Sequence, residues 1–185
     1  MIQSRQEFIQ NYRHAQGWWD DSLNVKNVSA VNLAWDTSYG GWTFTNASNR
    51  YIWYVVQMPH GKTLGTAIHP HLHWMPTTTN TGTVDWVIEY WWKNAVGDTA
   101  QGAVGSGGSE TINATPNGTA YVLQLDAFTP IAAPAGEAVS SILTVRIYRD
   151  GASDAYNDDA LLKDFDCHLQ LDQPGSILET SKWGT

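Results

Sequence analysis

The sequence predicts an all-β fold: a single-domain, jelly-roll-like β-sandwich preceded by a short N-terminal helix or arm. Three observations lead there. Apolar and polar residues alternate in run after run from Val28 onward, the period of a half-buried strand. Gly, Pro, Asn and Asp clusters punctuate those runs at turn spacing. Only one stretch, near the N-terminus, has helical spacing. The division that follows is an arm over residues 1–17 and a sandwich domain over 18–185, a length that one domain accommodates with a substantial core.

The elements follow in order. Ser4 can cap a helix, with Glu7 at capping-box distance, and Phe8, Ile9 and Tyr12 give it an apolar stripe that Gly17 ends. Val31 to Trp35 alternates, and Gly40-Gly41 precedes a short strand at Trp42-Thr43-Phe44. Tyr51 to Met58 is aromatic and β-branched on both faces, as expected of a covered central strand. Gly65 to Pro76 carries a histidine row. Thr83 to Lys93 sets Val84, Trp86, Ile88, Tyr90 and Trp92 against Asp85, Val87, Glu89, Trp91 and Lys93.

Gly97 to Gly118, dense in Gly, Ser, Thr and Asn, is expected to be a long polar loop. Thr119 to Asp126 returns to strand with Tyr121, Leu123 and Leu125 on one face. Ile142 to Arg149 turns Leu143, Val145 and Ile147 inward, and Asp150 to Asp159 is an acidic turn. Asp164 to Asp172 alternates most cleanly: Phe165, Cys167, Leu169 and Leu171 oppose Asp164, Asp166, His168, Gln170 and Asp172. This makes roughly eight strands.

Composition narrows the function. Ten Trp and eight Tyr with 15% charged residues describe a folded, aromatic-rich chain. A formal net charge of −8, with scattered Lys and Arg, argues against nucleic acid as a partner. The single cysteine, Cys167, allows no intrachain disulfide and reads as a small buried hydrophobe. The opening residues lack an apolar core of signal-peptide length, and no apolar run reaches membrane-span length. The expectation is a chain made in a cytoplasm, with no membrane partner, whose four Asn-x-Ser/Thr sequons (from Asn27, Asn46, Asn113 and Asn117) are incidental.

His69, His71 and His73 are half of the six histidines and share one face of an extended strand, with Ile68, Pro70, Leu72 and Trp74 on the other. Three readings stay open: ligands for a transition metal, a hydrogen-bonded row at a sheet or subunit interface, or a solvent-facing row. A metal at this row is the one cofactor left open. No Walker loop, dinucleotide fingerprint or nucleophile elbow occurs, and the carboxylate pairs Asp20-Asp21 and Asp158-Asp159 sit beside turns. No catalytic residue is assigned, and an enzyme is not expected.

Gly65, five intervening residues and His71-Leu72-His73 resemble the opening of the cupin motif, a family of β-barrel metalloproteins. The glutamate that the resemblance implies a few residues on is missing from Trp74 to Thr78, and Val139 stands where the second motif has its histidine. Glu89 is the substitute a neighbouring strand offers. A glycan-binding reading rests on exposed aromatics, of which Trp42 and Trp183 are the candidates.

The set HPHLHW (His69 to Trp74), the Trp86 to Tyr90 strand, Arg146 to Asp150 and the closing DFDCHLQLDQPGS resembles a poorly characterised group of tailed-bacteriophage proteins. The likeness spans roughly Trp19 to Ser176. It implies a virion component, assembled in the host cytoplasm: a head decoration or fibre anchor, expected as a homotrimer contacting major capsid or tail and fibre proteins. The interface candidates are Phe8, Ile9, Tyr12, Trp18, Trp19 and Trp91. The alternatives are a tail-associated adaptor or receptor-binding protein with a glycan site, and a cupin-like metalloprotein. In a trimer, a histidine row near the axis would form a metal-bound or pH-sensitive plug.

Overall fold

The computed structural model describes residues 18–20, 26–31, 33–46, 50–103 and 105–172. The expected helix with Phe8, Ile9 and Tyr12 lies outside them, as does Trp183. Among the described residues the chain forms eleven strands: β1 (Trp18–Asp20), β2 (Lys26–Val31), β3 (Ala34–Asp36), β4 (Gly41–Phe44), β5 (Tyr51–Gln57), β6 (Ile68–Pro76), β7 (Val84–Lys93), β8 (Gly108–Ala114), β9 (Gln124–Ala127), β10 (Ile142–Arg149) and β11 (Ala160–Leu171).

They make two antiparallel sheets. The first runs β3-β4-β11-β6-β9, with β1 pairing on β11; the second runs β2-β5-β10-β7-β8. From β4 to β11 the chain changes sheet at every step except β7 to β8, as in a jelly roll. The all-β sandwich expected from the alternation is the observed fold.

The core lies between the sheets and comes from the period of two. On β5 the inward residues Ile52, Tyr54 and Val56 are buried and their neighbours are not; β10 does the same with Leu143, Val145 and Ile147. The sheets meet through aromatic rings. Phe44 and Trp74 of the first sheet approach Trp86 of the second edge-on, at 5.1 and 6.0 Å between centroids, and Tyr54 meets Phe165 at 5.5 Å. Removing each such side chain from water contributes about 1.5–3 kcal/mol. The Trp74 indole still finds an acceptor, Asp126 Oδ2 at 2.6 Å. Cys167 is fully buried, and burial pushes its thiol up, so it acts as a core residue.

One polar network closes an end of the sandwich. Arg149 is buried and its Nε donates to Asp154 Oδ2 at 2.5 Å. Its Nη1 donates to the Asp158 carbonyl at 2.6 Å and its Nη2 to the Tyr156 carbonyl, so the acidic turn folds around one guanidinium. That turn in turn holds the loop after β6: the amides of Thr77 and Thr78 donate to the Tyr156 hydroxyl, and Thr78 Oγ1 donates to Asp158 Oδ2.

The structure corrects three boundaries. The stretch expected as one loop from Gly97 to Gly118 contains β8, whose Ser109, Thr111 and Asn113 face solvent. It is an edge strand with little apolar content, so hydrophobic pattern alone misses it. The strand expected over Thr119 to Asp126 is reduced to Gln124–Ala127, because Tyr121 takes a left-handed φ of 59°. The final strand starts earlier, at Ala160, and carries a bulge between Leu162 and Asp164.

Replacing Arg149 with Met should destabilise the fold by about 3–5 kcal/mol, since it strands the buried Asp154 carboxylate. Chemical denaturation measures this; a loss under about 1 kcal/mol contradicts the role given to the network.

Candidate functional site

The outward face of the first sheet gathers most of the described histidines. On β6 the alternation that buries Ile68, Pro70, Leu72 and Trp74 turns His69, His71 and His73 to the other side. On β11 it buries Phe165, Cys167 and Leu169 and turns out Asp164, Asp166 and His168. The pairing register then sets His73 opposite Asp164, His71 opposite Asp166 and His69 opposite His168. Two polar faces, each visible separately in the sequence, become one surface.

Its centre is compact. His71 Nε2 lies 2.5 Å from Asp166 Oδ1, and His73 Nε2 lies 3.4 Å from Asp166 Oδ2. The His168 ring stacks on His71 at 4.8 Å, while the His73 ring meets it edge-on at 5.1 Å. His71 is only 4% exposed although it belongs to the outward face. His69 shares that face, but it is exposed and lies outside the central group. Of the three expected ligands, two are brought together, and Asp166 joins them.

Burial holds His71 below the ordinary imidazole value of 6.5. Asp166 acts in the opposite direction, His168 and His73 reinforce burial, and a hydrogen bond to the His69 backbone raises the value again. The net direction is downward, so His71 is neutral at pH 7.

Beside this group lies an apolar patch. Tyr39 and Tyr121 stack at 3.7 Å with nearly parallel rings, and Trp35 meets Trp42 edge-on at 5.1 Å. Trp35, Tyr39, Tyr121 and Val122 are exposed, and Leu123 and Leu125 are each 55% exposed. Leu125 pairs with His73, so the patch continues directly into the histidine face. Leu161 and Met75, paired on the same outward face, are nevertheless buried.

Several expected site residues fall elsewhere. Trp91 is not free for a partner: it is 4% exposed, rests against Trp53 at 5.7 Å, and hydrogen-bonds Ser106 Oγ through its indole. The Gly-rich segment before β8 covers it, since a Cβ on Gly107 would meet the Trp91 ring. Trp42 is half-buried and packs on the core, and Trp35 is the exposed member of that pair. Trp18 and Trp19 pair with Leu171 and Gln170 through β1; their side chains, like Phe8, Ile9, Tyr12 and Trp183, lie outside the described residues. Glu89 cannot complete a cupin-like site, because it sits on the second sheet and binds Arg146 at 2.5 Å. His60 Nε2 lies 2.6 Å from Ser140 Oγ, but Ser140 is buried in a turn and presents no nucleophile at a surface.

No protein-family model matches the chain, and no curated protein matches it. Solved structures do. A family 35 carbohydrate-binding module from an environmental isolate shares 11% identity over 85% of this chain and 99% of its own, with a TM-score of 0.43. TmCBM61 in complex with β-1,4-galactotriose shares 12% identity over 82% and 88%, with a TM-score of 0.38. An exo-β-1,3-galactanase from Phanerochaete chrysosporium shares 10% identity over 83% of this chain but only 29% of its own, also at 0.38. No functional conclusion follows from likenesses of this size.

Acid should weaken the fold through His71. Its folded value lies below the unfolded 6.5, so the unfolded chain takes the proton first and stability falls as pH drops below about 6.5. Asp166 and His168 from β11, and His69 and His73 from β6, face that proton. Denaturation midpoints between about pH 7.5 and 5 should decline in the native protein and decline less in His71→Asn. Equal declines in both would remove His71 as the cause.

Proposed function

We propose that the chain is a non-enzymatic structural component of a tailed-bacteriophage particle, a head decoration or fibre-anchoring protein that assembles as a homotrimer. The observation that carries this reading is the apolar patch of Tyr39, Tyr121, Val122, Leu123 and Leu125 on the first sheet. Monomeric proteins rarely leave a contiguous group of large apolar side chains in water, and such patches mark association surfaces. Tyr and Trp at its edge suit an interface, because they combine large area with a polar tip. The sequence resemblance to phage proteins supplies the virion setting. In this setting the partners are further copies of the chain and other virion proteins.

A second reading has its own support. The Tyr39 and Tyr121 rings and exposed Trp35 form an aromatic group around the turn between β3 and β4, the kind of surface on which sugar rings stack. A tail-associated adaptor or receptor-binding protein would use it to hold a glycan.

Sedimentation velocity separates the two. A homotrimer is expected for the native chain, and the double substitution Leu123→Glu with Leu125→Glu should shift it toward monomer. A native chain that stays monomeric at high concentration, or a trimer indifferent to both changes, overturns the assembly reading. The glycan reading expects binding on a glycan array that Trp35→Ala reduces by about tenfold or more, and an array without binding removes it.

A further inference from the structure

We propose that His71, His73 and Asp166 form a binding site for a divalent first-row transition-metal ion, with zinc as the simplest occupant. Two imidazoles and one carboxylate suit the borderline ions of this class, whereas magnesium and calcium take oxygen ligands. The two histidines sit two apart on β6, on one face, and the carboxylate comes from the residue paired with His71 on β11. Three ligands thus come from two rigid, hydrogen-bonded strands rather than from loops.

The distances fit. The three ligand atoms lie within 4.8 Å of one another. Bonds of about 2.0–2.2 Å to one ion place ligand atoms ~3–3.5 Å apart. The His73–Asp166 Oδ2 separation of 3.4 Å already meets this, the 2.5 Å His71–Asp166 Oδ1 contact has to open by about 0.5–1 Å, and the widest pair, within 4.8 Å, has to close by roughly 1.3 Å. Opening is a matter of side-chain rotation, because Asp166 and His73 are partly exposed. The same exposure leaves the outer side to water, which completes the coordination shell. This is an open site with three protein ligands.

The protonation chemistry agrees. A neutral imidazole has one N–H to offer. His71 faces two acceptors, the Asp166 carboxylate and the His69 backbone. An ion between Nε2 and the carboxylate relieves that shortage and leaves the remaining N–H for the backbone, the orientation that supports histidine ligands elsewhere. His168 stacks on the same ring at 4.8 Å and restricts its rotation. The inference does not rest on the virion reading, since a bound ion would serve either a stapled sheet or a subunit contact.

The test is a zinc titration by isothermal calorimetry, on tag-free full-length protein dialysed against chelator, with circular dichroism confirming the fold of each variant. The expected result is one zinc per chain, with affinity falling at least about tenfold in His73→Ala and in Asp166→Asn. His69→Ala, altered on the same face but outside the group, should bind like the native chain. His73→Ala removes a partly exposed side chain and should fold normally, so it decides the matter if Asp166→Asn does not fold. No binding by the native chain, native affinity in folded His73→Ala, or an equal loss in His69→Ala each overturns the site.

Discussion

The register between β6 and β11 is the constraint on which the rest of the structure depends. It joins the two strands that carry the centre of the first sheet. With His71 opposite Asp166, Leu72 and Phe165 point together into the core. A slip of one residue would send Phe165, Cys167 and Leu169 to the outside and bring Asp166 and His168 into the core. The hydrophobic core thus specifies the polar cluster on the opposite face. The bulge between Leu162 and Asp164 belongs to the same arrangement. It takes up the extra residue, Lys163, whose amine donates to the Tyr39 carbonyl. The turn that carries Tyr39 toward Tyr121 is therefore tied to the strand that carries Asp166.

Much of this was readable in the sequence because burial and alternation are local properties. The inward residues of β5, β10 and β11, and the outward set of His69, His71 and His73, follow from a period of two and nothing else. What was not readable is pairing. The acidic and histidine residues of β11 and the histidines of β6 are some 95 residues apart, and no local rule brings Asp166 to His71. The signal was nonetheless present: two strands, each apolar on one face and titratable on the other, with imidazoles on one and carboxylates on the other. The edge strand β8 and the true length of β9 escaped for a different reason. Ser109, Thr111 and Asn113 face water, so β8 has no half-buried pattern, while the alternation before β9 runs through Tyr121, whose left-handed backbone delays the strand to Gln124.

The two sheets also divide the labour of the molecule. On the outward face of the second sheet Trp91 lies under the segment before β8, and Arg146 lies against the Tyr51 and Tyr148 rings while binding Glu89. The first sheet instead turns outward a titratable centre beside a broad apolar patch. Such a surface combines area for association with polar groups that set its geometry. The buried Arg149 network holds the loop after β6 and so keeps the end of the histidine strand in place.

If the outward face of the first sheet is the working surface, association must cover it. Hydroxyl-radical footprinting of the protein at high and at low concentration tests it most directly. Protection on association should concentrate at Tyr39, Tyr121, Leu123 and Leu125, with Val96, exposed in the loop beyond β7, labelled equally in both states. Protection at Val96 with an unchanged pattern on the first sheet would contradict the account.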